Sequence, residues 1–292
     1  MDFKKEIIEK IKTKRPNLSV NSIRTYTSLL FNLQKKLNDK KHSMKWFTDS
    51  EAIILESLKD MKDVSKKTIL AAYYILEEKQ TTKKIMLKSA KIVNDKNMEN
   101  KKTEKQEKNW ISQDEVDATL EKYKKLASNI MKKKVINNQE LFVLRDYMVL
   151  LFYVKNKPRR SLDLSEMKIR NIDKKGNYIQ GNNYVFNIYK TNKYHGEDRI
   201  PIHPDAVKFI KLWKTKYNMT DYLVFNEKQN QISSSQITRL LNGIFGKNVS
   251  TSMLRHIYLS DKFKNLPTIK EMQDTAQDLG HTVGTMLTYI KK

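Results

Sequence analysis

Apolar residues in the first ninety positions return every three or four residues. Val20, Ile23, Leu30, Leu33 and Leu37 share one face of a helix for which Ser19 is a candidate N-cap. Ile54, Leu55 and Leu58 predict a second helix across 51–61, and Ile69, Leu70, Tyr73 and Leu76 a third that begins after Ser65. Lys and Arg take the outward positions, so 1–93 reads as a basic module of about four helices. From Asn94 to Lys108 almost no residue is suited to burial. This stretch reads as a linker between that module and a second domain over 109–292.

The second domain opens on Ser112 and Glu115, which have the spacing of a capping box. Leu141–Val154 is nearly all apolar and predicts a helix buried on most of its sides. Short strand signals come next, separated by the turn residues Asp173–Gly176 and Gly181–Asn183. Tyr184–Tyr189 and Arg199–Ile202 read as strands with a turn-rich Thr191–Asp198 between them, which makes an antiparallel sheet of about three strands. Beyond it the pattern is helical over Asp205–Trp213, Ser235–Phe245, Ser252–Phe263 and Thr268–Leu279, with a last short helix. The fold class is therefore mainly α with a small antiparallel β-sheet.

Charge narrows the function. In 292 residues, 57 Lys and Arg face 33 Asp and Glu, a net charge of +24. A surplus of that size is the footprint of a polyanion binder. Only nine of the cations are Arg, against 48 Lys, so an Arg marks a place where geometry matters as well as charge. The lack of Cys excludes disulfide scaffolds, thiol nucleophiles and Cys-ligated zinc. The five His show no metal spacing, and no Gly-rich phosphate loop occurs, so neither metal nor cofactor is expected. No apolar stretch suits a membrane span or a signal peptide, which predicts an intracellular protein.

Several polar residues fall at the ends of predicted elements. Arg159 and Arg160 come after the apolar helix, Lys190 after a strand, Arg255 and His256 lie just inside a helix start, and His281 succeeds Gly280. Tyr289 stands close behind. Taken singly, each has a plain reading: a packed tyrosine, one surface lysine among many, a helix-capping histidine, a phosphate-binding arginine pair.

Their order Arg, Lys, Arg, His, Tyr resembles the tyrosine recombinase (phage-type integrase) family. Arg160-Ser-Leu-Asp163 is similar to the first-arginine box, with an acidic residue three positions on. Tyr189-Lys190 with the later Arg199-Ile-Pro-Ile202 resembles the hairpin that carries the catalytic lysine. Leu254-Arg255-His256 resembles the second-arginine box, and Leu279-Gly280-His281 with Tyr289 the last box. The resemblance implies a helical N-terminal core-binding domain that grips double-stranded DNA and an α+β catalytic domain, acting as a homotetramer on DNA. It implies Tyr289 as nucleophile, Arg160 and Arg255 as phosphate ligands, Lys190 as general acid, and His281 as a phosphate hydrogen-bond donor or a mover of the tyrosine proton. Arg159 competes with Arg160, and Asp163 sets the register in favour of Arg160.

Some positions depart from the family pattern. Ser252 stands where His or Lys usually lies, three before the second Arg, which makes it an auxiliary donor only. His256 is expected to point elsewhere as a structural residue. His281 and Tyr289 are eight apart, one fewer than is commonest. Only three residues come after Tyr289, which suggests a different assembly or an absent tail, and the Lys-rich, short-ended form resembles viral or mobile-element integrases. Two alternatives stay open: a type IB topoisomerase-like enzyme, and a DNA-binding protein with a decayed site.

Overall fold

The computed structural model describes residues 2–37, 42–98, 101–264, 267 and 269–291. The chain divides into two compact units, Met1–Glu99 and Asn100–Lys292. No helix among the described residues is long and apolar enough to cross a membrane.

Among the described residues the first unit has six helices rather than four: α1 Phe3–Lys14, α2 Val20–Leu37, α3 Met44–Asp49, α4 Glu51–Ser57, α5 Asp63–Glu77 and α6 Gln80–Met98. Ser19 Oγ accepts the Ser22 N–H at 3.1 Å, the capping bond expected at the start of α2. The predicted periodicity becomes the core, where Ile23, Leu30, Leu33, Ile54, Leu58, Leu70 and Leu76 join Ile7 and Ile11 of α1. Tyr73 is fully buried in that core, and its hydroxyl donates to the Phe47 carbonyl at 2.7 Å. Lys84, Lys88 and Lys91 recur at helical spacing on α6, all exposed.

The stretch expected as a linker is helical near both ends. Its first residues lie in α6 and its last in α7, Glu104–Asn109, which is opened by a Thr103–Gln106 capping box. Glu99 and Asn100 lie outside the described residues. Asn109 is buried and its Oδ1 accepts the Asn248 N–H at 3.0 Å, so α7 packs within the second unit.

The second unit continues with α8 Gln113–Met131 and α9 Asn138–Leu150, each opened by a full capping box. A π turn, Leu151–Lys155, prolongs α9. It winds more residues per turn than an α-helix and so shifts the register of the segment beyond it. Leu144, Met148–Phe152 and Tyr153 are buried, so this is the central helix that its apolar run predicts. Next come α10 Ser161–Ser165, β1 Met167–Lys168, β2 Asn177–Gln180, β3 Asn183–Phe186, α11 Asn192–His195 and β4 Asp198–Pro201.

The sheet corrects the sequence reading in two ways. It has four strands in the order β1-β2-β3-β4 and it is mixed, because β1 pairs with β2 in parallel while the other pairs are antiparallel. A two-residue strand has too little pattern to be read from sequence. The Tyr184–Tyr189 strand also stops early, at Phe186. The side chain of fully buried Asn177 takes the backbone N–H groups of Asn187 and Ile188 onto its Oδ1, at 2.8 and 2.7 Å, and so draws them out of the ladder. Its Nδ2 donates to the Ile188 and Asp163 carbonyls. The turn-rich segment then closes into the single helical turn α11, with the Gly196 N–H on the Asn192 carbonyl.

The remaining helices are α12 Pro204–Leu212 with a π extension Trp213–Tyr217, α13 Ser234–Phe245, α14 Thr251–Lys262, α15 Ile269–Asp278 and α16 Val283–Leu287. The predicted start of α15 at Thr268 lies outside the described residues. Trp213 is fully buried, stacks on Phe225 at 5.7 Å, and donates from Nε1 to the Leu223 carbonyl at 2.8 Å. Trp213→Ala is expected to lower the stability of the second unit by about 3–5 kcal/mol. Urea denaturation monitored by circular dichroism would register it as one earlier transition, with the transition of the first unit unmoved.

Candidate active site

Pro158 restricts the backbone before it, and the chain leaves the π turn extended, with Arg160 as the N-cap residue of α10. The neighbouring arginines have opposite surroundings. Arg159 is 5% exposed, with Nε on Asp163 Oδ2 at 2.7 Å and Nη1 on Asp198 Oδ2 at 2.6 Å. Its guanidinium also covers the Phe186 ring at 4.0 Å and the Tyr189 ring at 5.4 Å. Arg160 is half-buried, and its Nη2 meets Nδ1 of His281 at 3.3 Å. Burial pushes the Asp163 carboxyl up, and the charges of Arg159, Arg160 and Arg255 pull against it.

Arg255 sits in the second turn of α14 and is 4% exposed. Its Nη2 donates to Ser252 Oγ at 3.0 Å, while Nε and Nη1 are buried without a hydrogen-bond partner. Two unanswered donors on a buried cation are costly unless an acceptor arrives. An anion in front of α14 would satisfy them.

His281 is delivered by a Schellman turn at the end of α15. The His281 N–H reaches the Ala276 carbonyl at 2.8 Å and the Gly280 N–H the Gln277 carbonyl at 2.9 Å. Gly280 has φ +65°, which any residue with a Cβ adopts only with strain. Burial first, then the charges of Arg160, Arg255, Lys190 and Arg159, hold the His281 imidazole down at about 4, so it is neutral near pH 7. Arginine can only donate, so Nδ1 facing Arg160 must be the acceptor and the ring proton lies on Nε2. That Nε2 is buried and has no partner.

Lys190 is exposed in the turn after Tyr189, not at a strand end. The Tyr189 hydroxyl donates to the Gly196 carbonyl at 2.9 Å and closes the 187–197 loop on itself. A cleft of about 200 Å³ opens between this loop and the Schellman turn, lined by Tyr189, His195, Asp198, Gln277 and His281.

Tyr289 lies just past α16, its N–H on the Met286 carbonyl at 2.9 Å. Its ring stacks on His281 at 5.1 Å and has the Arg255 guanidinium 5.4 Å from its centroid. Met286, Leu279, Ala276 and Leu259 form the small core beneath it. His256 does not point away as expected. Its Nδ1–H donates to the Tyr289 carbonyl at 2.6 Å and its ring lies 4.8 Å from the tyrosine ring. The Lys291 N–H on Ser260 Oγ, at 2.8 Å, fastens the next residues to α14 as well. Arg160, Arg255, His281 and Tyr289 are thus brought together, Ser252 supports Arg255, and Lys190 is near enough for its charge to act on His281. Arg159 faces away from this group into its carboxylates. Asn177 carries no signal in the sequence, where it is one asparagine among many, and only its burial reveals its part.

No family profile and no curated protein matches the chain. Among solved structures, a lambda integrase dimer bound to a COC′ core site aligns over 97% of this chain and 76% of its own, at 14% identity and a TM-score of 0.50. The fold is that of the tyrosine recombinases. Lambda integrase residues 75–356, as a dimer on the same core site, align over 96% of this chain and 92% of that one, at 14% identity and a TM-score of 0.49. XerA recombinase aligns over 99% and 94%, at 16% identity and a TM-score of 0.43. Within the tyrosine recombinase fold, this chain builds its second unit with a π turn ahead of the arginine pair and a mixed four-stranded sheet.

Burial also holds the His256 imidazole down at about 4. Both histidines are therefore neutral when folded and bind a proton more readily when unfolded. Their contribution to stability is complete above about pH 6.5. It declines as pH falls from there toward 4. Chemical denaturation across that window should show stability falling with acid, and His256→Gln should flatten the slope.

Proposed function

We propose that this protein is a site-specific tyrosine recombinase that cuts and rejoins DNA through a 3′-phosphotyrosine intermediate, in DNA integration or excision. The observation that carries the reading is a set of unanswered donors facing one tyrosine: Nε and Nη1 of Arg255 and Nε2 of His281, with Arg160 beside them. These are the groups a scissile phosphate needs.

Arg255 and Arg160 bind the non-bridging oxygens and stabilise the charge that grows on them in the pentacoordinate transition state. Ser252 holds the Arg255 fork in plane. His281, neutral with its proton on Nε2, adds a third hydrogen bond to the phosphate and does not serve as the base. Tyr289 Oη attacks phosphorus, the P–O5′ bond breaks, and the phenolic proton leaves to solvent. Lys190 gives its proton to the departing 5′ oxygen. The phosphotyrosine conserves the bond energy, so religation needs neither metal nor nucleotide. Exchange between two duplexes requires a cut in each of four strands, which calls for four active sites and hence a homotetramer on DNA. The basic first unit, with the Lys84, Lys88 and Lys91 row, would hold the flanking phosphates while the second unit acts on the scissile one.

The test is covalent trapping. Nicked duplexes from the DNA flanking the coding sequence, together with a randomised pool, are incubated with the protein and run on a denaturing gel. The expected result is a protein–DNA adduct that Tyr289→Phe abolishes and that Arg255→Lys reduces by about 100-fold or more. DNA binding without an adduct, or an adduct that survives Tyr289→Phe, would overturn the reading. Transfer of the trapped strand to a second duplex separates a recombinase from an enzyme that only relaxes DNA.

Binding should also weaken steeply with salt, because phosphate contacts release counterions. Replacing Lys84, Lys88 and Lys91 with Ala should reduce the slope of log K against log salt by about 0.9 for each lysine that lies on a phosphate. A slope that does not change would remove α6 from the interface.

A further inference from the structure

We propose that Arg159, which does not face the phosphate-binding group, is the positioning residue that holds Lys190 in place to protonate the leaving oxygen. The inference rests on the transesterification reading above. Lys190 lies in an exposed loop between Phe186, the last residue of β3, and Asp198, the first of β4. A loop on the surface would leave a general acid with a wide range of positions, and general-acid catalysis requires the donor within hydrogen-bond reach of its target.

Arg159 grips both stems of that loop at once. On the outgoing stem its guanidinium lies over Phe186 at 4.0 Å and over Tyr189, the residue before Lys190, at 5.4 Å. On the returning stem it pairs with Asp198 at 2.6 Å. Its remaining edge pairs with Asp163 at 2.7 Å, in the first turn of the helix that Arg160 caps. One planar fork therefore ties the lysine loop to the element that carries a phosphate ligand. Asn177 adds a second tie between the same two segments, from the Asp163 carbonyl to the backbone of Asn187 and Ile188. A lysine at 159 could not make two directed ion pairs and cover two rings together.

The step itself suggests a discriminating probe. In cleavage the Tyr289 Oη–P bond forms and the P–O5′ bond breaks, the phenolic proton goes to solvent, and O5′ takes a proton from Lys190 Nζ. If sulfur replaces the bridging 5′ oxygen, the P–S bond breaks instead and the group departs as a thiolate. A thiol, with a pKa of about 8.5, is a far stronger acid than an alcohol and needs no proton donor. A variant defective only in delivering the proton is rescued by sulfur. A variant defective in phosphate binding or folding is equally impaired on both substrates.

The experiment compares adduct formation by the full chain on the duplex it cleaves in the trapping assay, with oxygen or sulfur at the bridging position. Wild type, Lys190→Ala, Arg159→Lys and Asp198→Asn are measured side by side. On oxygen, Lys190→Ala and Arg159→Lys are expected to lose about 100-fold or more, and Asp198→Asn about 10-fold. On sulfur, all three are expected to return to within about 3-fold of wild type. Asp198→Asn keeps the size of a partly exposed side chain, so it carries the test alone if Arg159→Lys does not fold. A deficit in Arg159→Lys or Asp198→Asn that persists on sulfur, while Lys190→Ala is rescued, would overturn the positioning role and leave the general acid standing. A Lys190→Ala deficit that persists on sulfur would overturn both. No wild-type adduct on either substrate would overturn the transesterification reading and the inference with it.

Discussion

The second unit is organised around a guanidinium that water barely reaches. Arg159 is 5% exposed, so its charge must be answered inside the protein, and Asp163 and Asp198 answer it from two different elements. Removing one partner of such a pair leaves a buried charge without compensation, which costs about 3–5 kcal/mol. That penalty constrains the backbone. The first turn of α10, the end of β3 and the start of β4 cannot shift apart while Arg159 stays charged, and an arginine does not lose its proton. The flat faces of Phe186 and Tyr189 complete the enclosure. The extended segment from which Arg160 emerges and the loop that carries Lys190 are fixed in space as a result.

Arg255 shows the complementary situation. It is as deeply buried as Arg159, yet only one of its donors is bonded, to the Ser252 hydroxyl. The contrast between a satisfied and an unsatisfied buried arginine separates a structural cation from one prepared for an anion. Two interactions hold the unsatisfied state open. Ser252 fixes the plane of the fork, and the Tyr289 segment is kept over it by the His256 hydrogen bond and the Leu279–Met286 core. Burial first, and then the cationic neighbours, keep His281 neutral, since a charged ring there would be desolvated and repelled. A neutral imidazole that accepts from Arg160 has one proton left to offer, on the nitrogen that has no hydrogen-bond partner.

Part of this was legible along the chain. Helices α2, α4 and α5 of the first unit and most helices of the second could be read from apolar periodicity, and the caps at Ser19, Ser112 and Gly280 from local chemistry, because these depend on residues within a few positions of one another. The candidate residues could be read only as a joint pattern, since a single Lys or Tyr in so Lys- and Tyr-rich a chain carries little weight. The number of helices in the first unit and the mixed pairing of the sheet were missed for a different reason. Short elements such as α3 and β1 form because their neighbours hold them, and they leave too few residues to show a period.

By itself, then, the sequence determined many of the helices, several of their caps, the strong excess of basic residues and the order Arg160, Lys190, Arg255, His281, Tyr289. The tertiary structure decided what each of those groups is free to do. It ended β3 at Phe186 through the side chain of Asn177, ten residues upstream of the amide it captures at Asn187. It turned Arg159 into carboxylates four and thirty-nine residues away, left Arg160 beside a histidine 121 residues on, and brought His256 against the Tyr289 carbonyl. The physical reason is range. Backbone preference and capping act over one helical turn, whereas ionisation, burial and the satisfaction of a hydrogen-bond donor depend on whatever lies within a few ångströms in space.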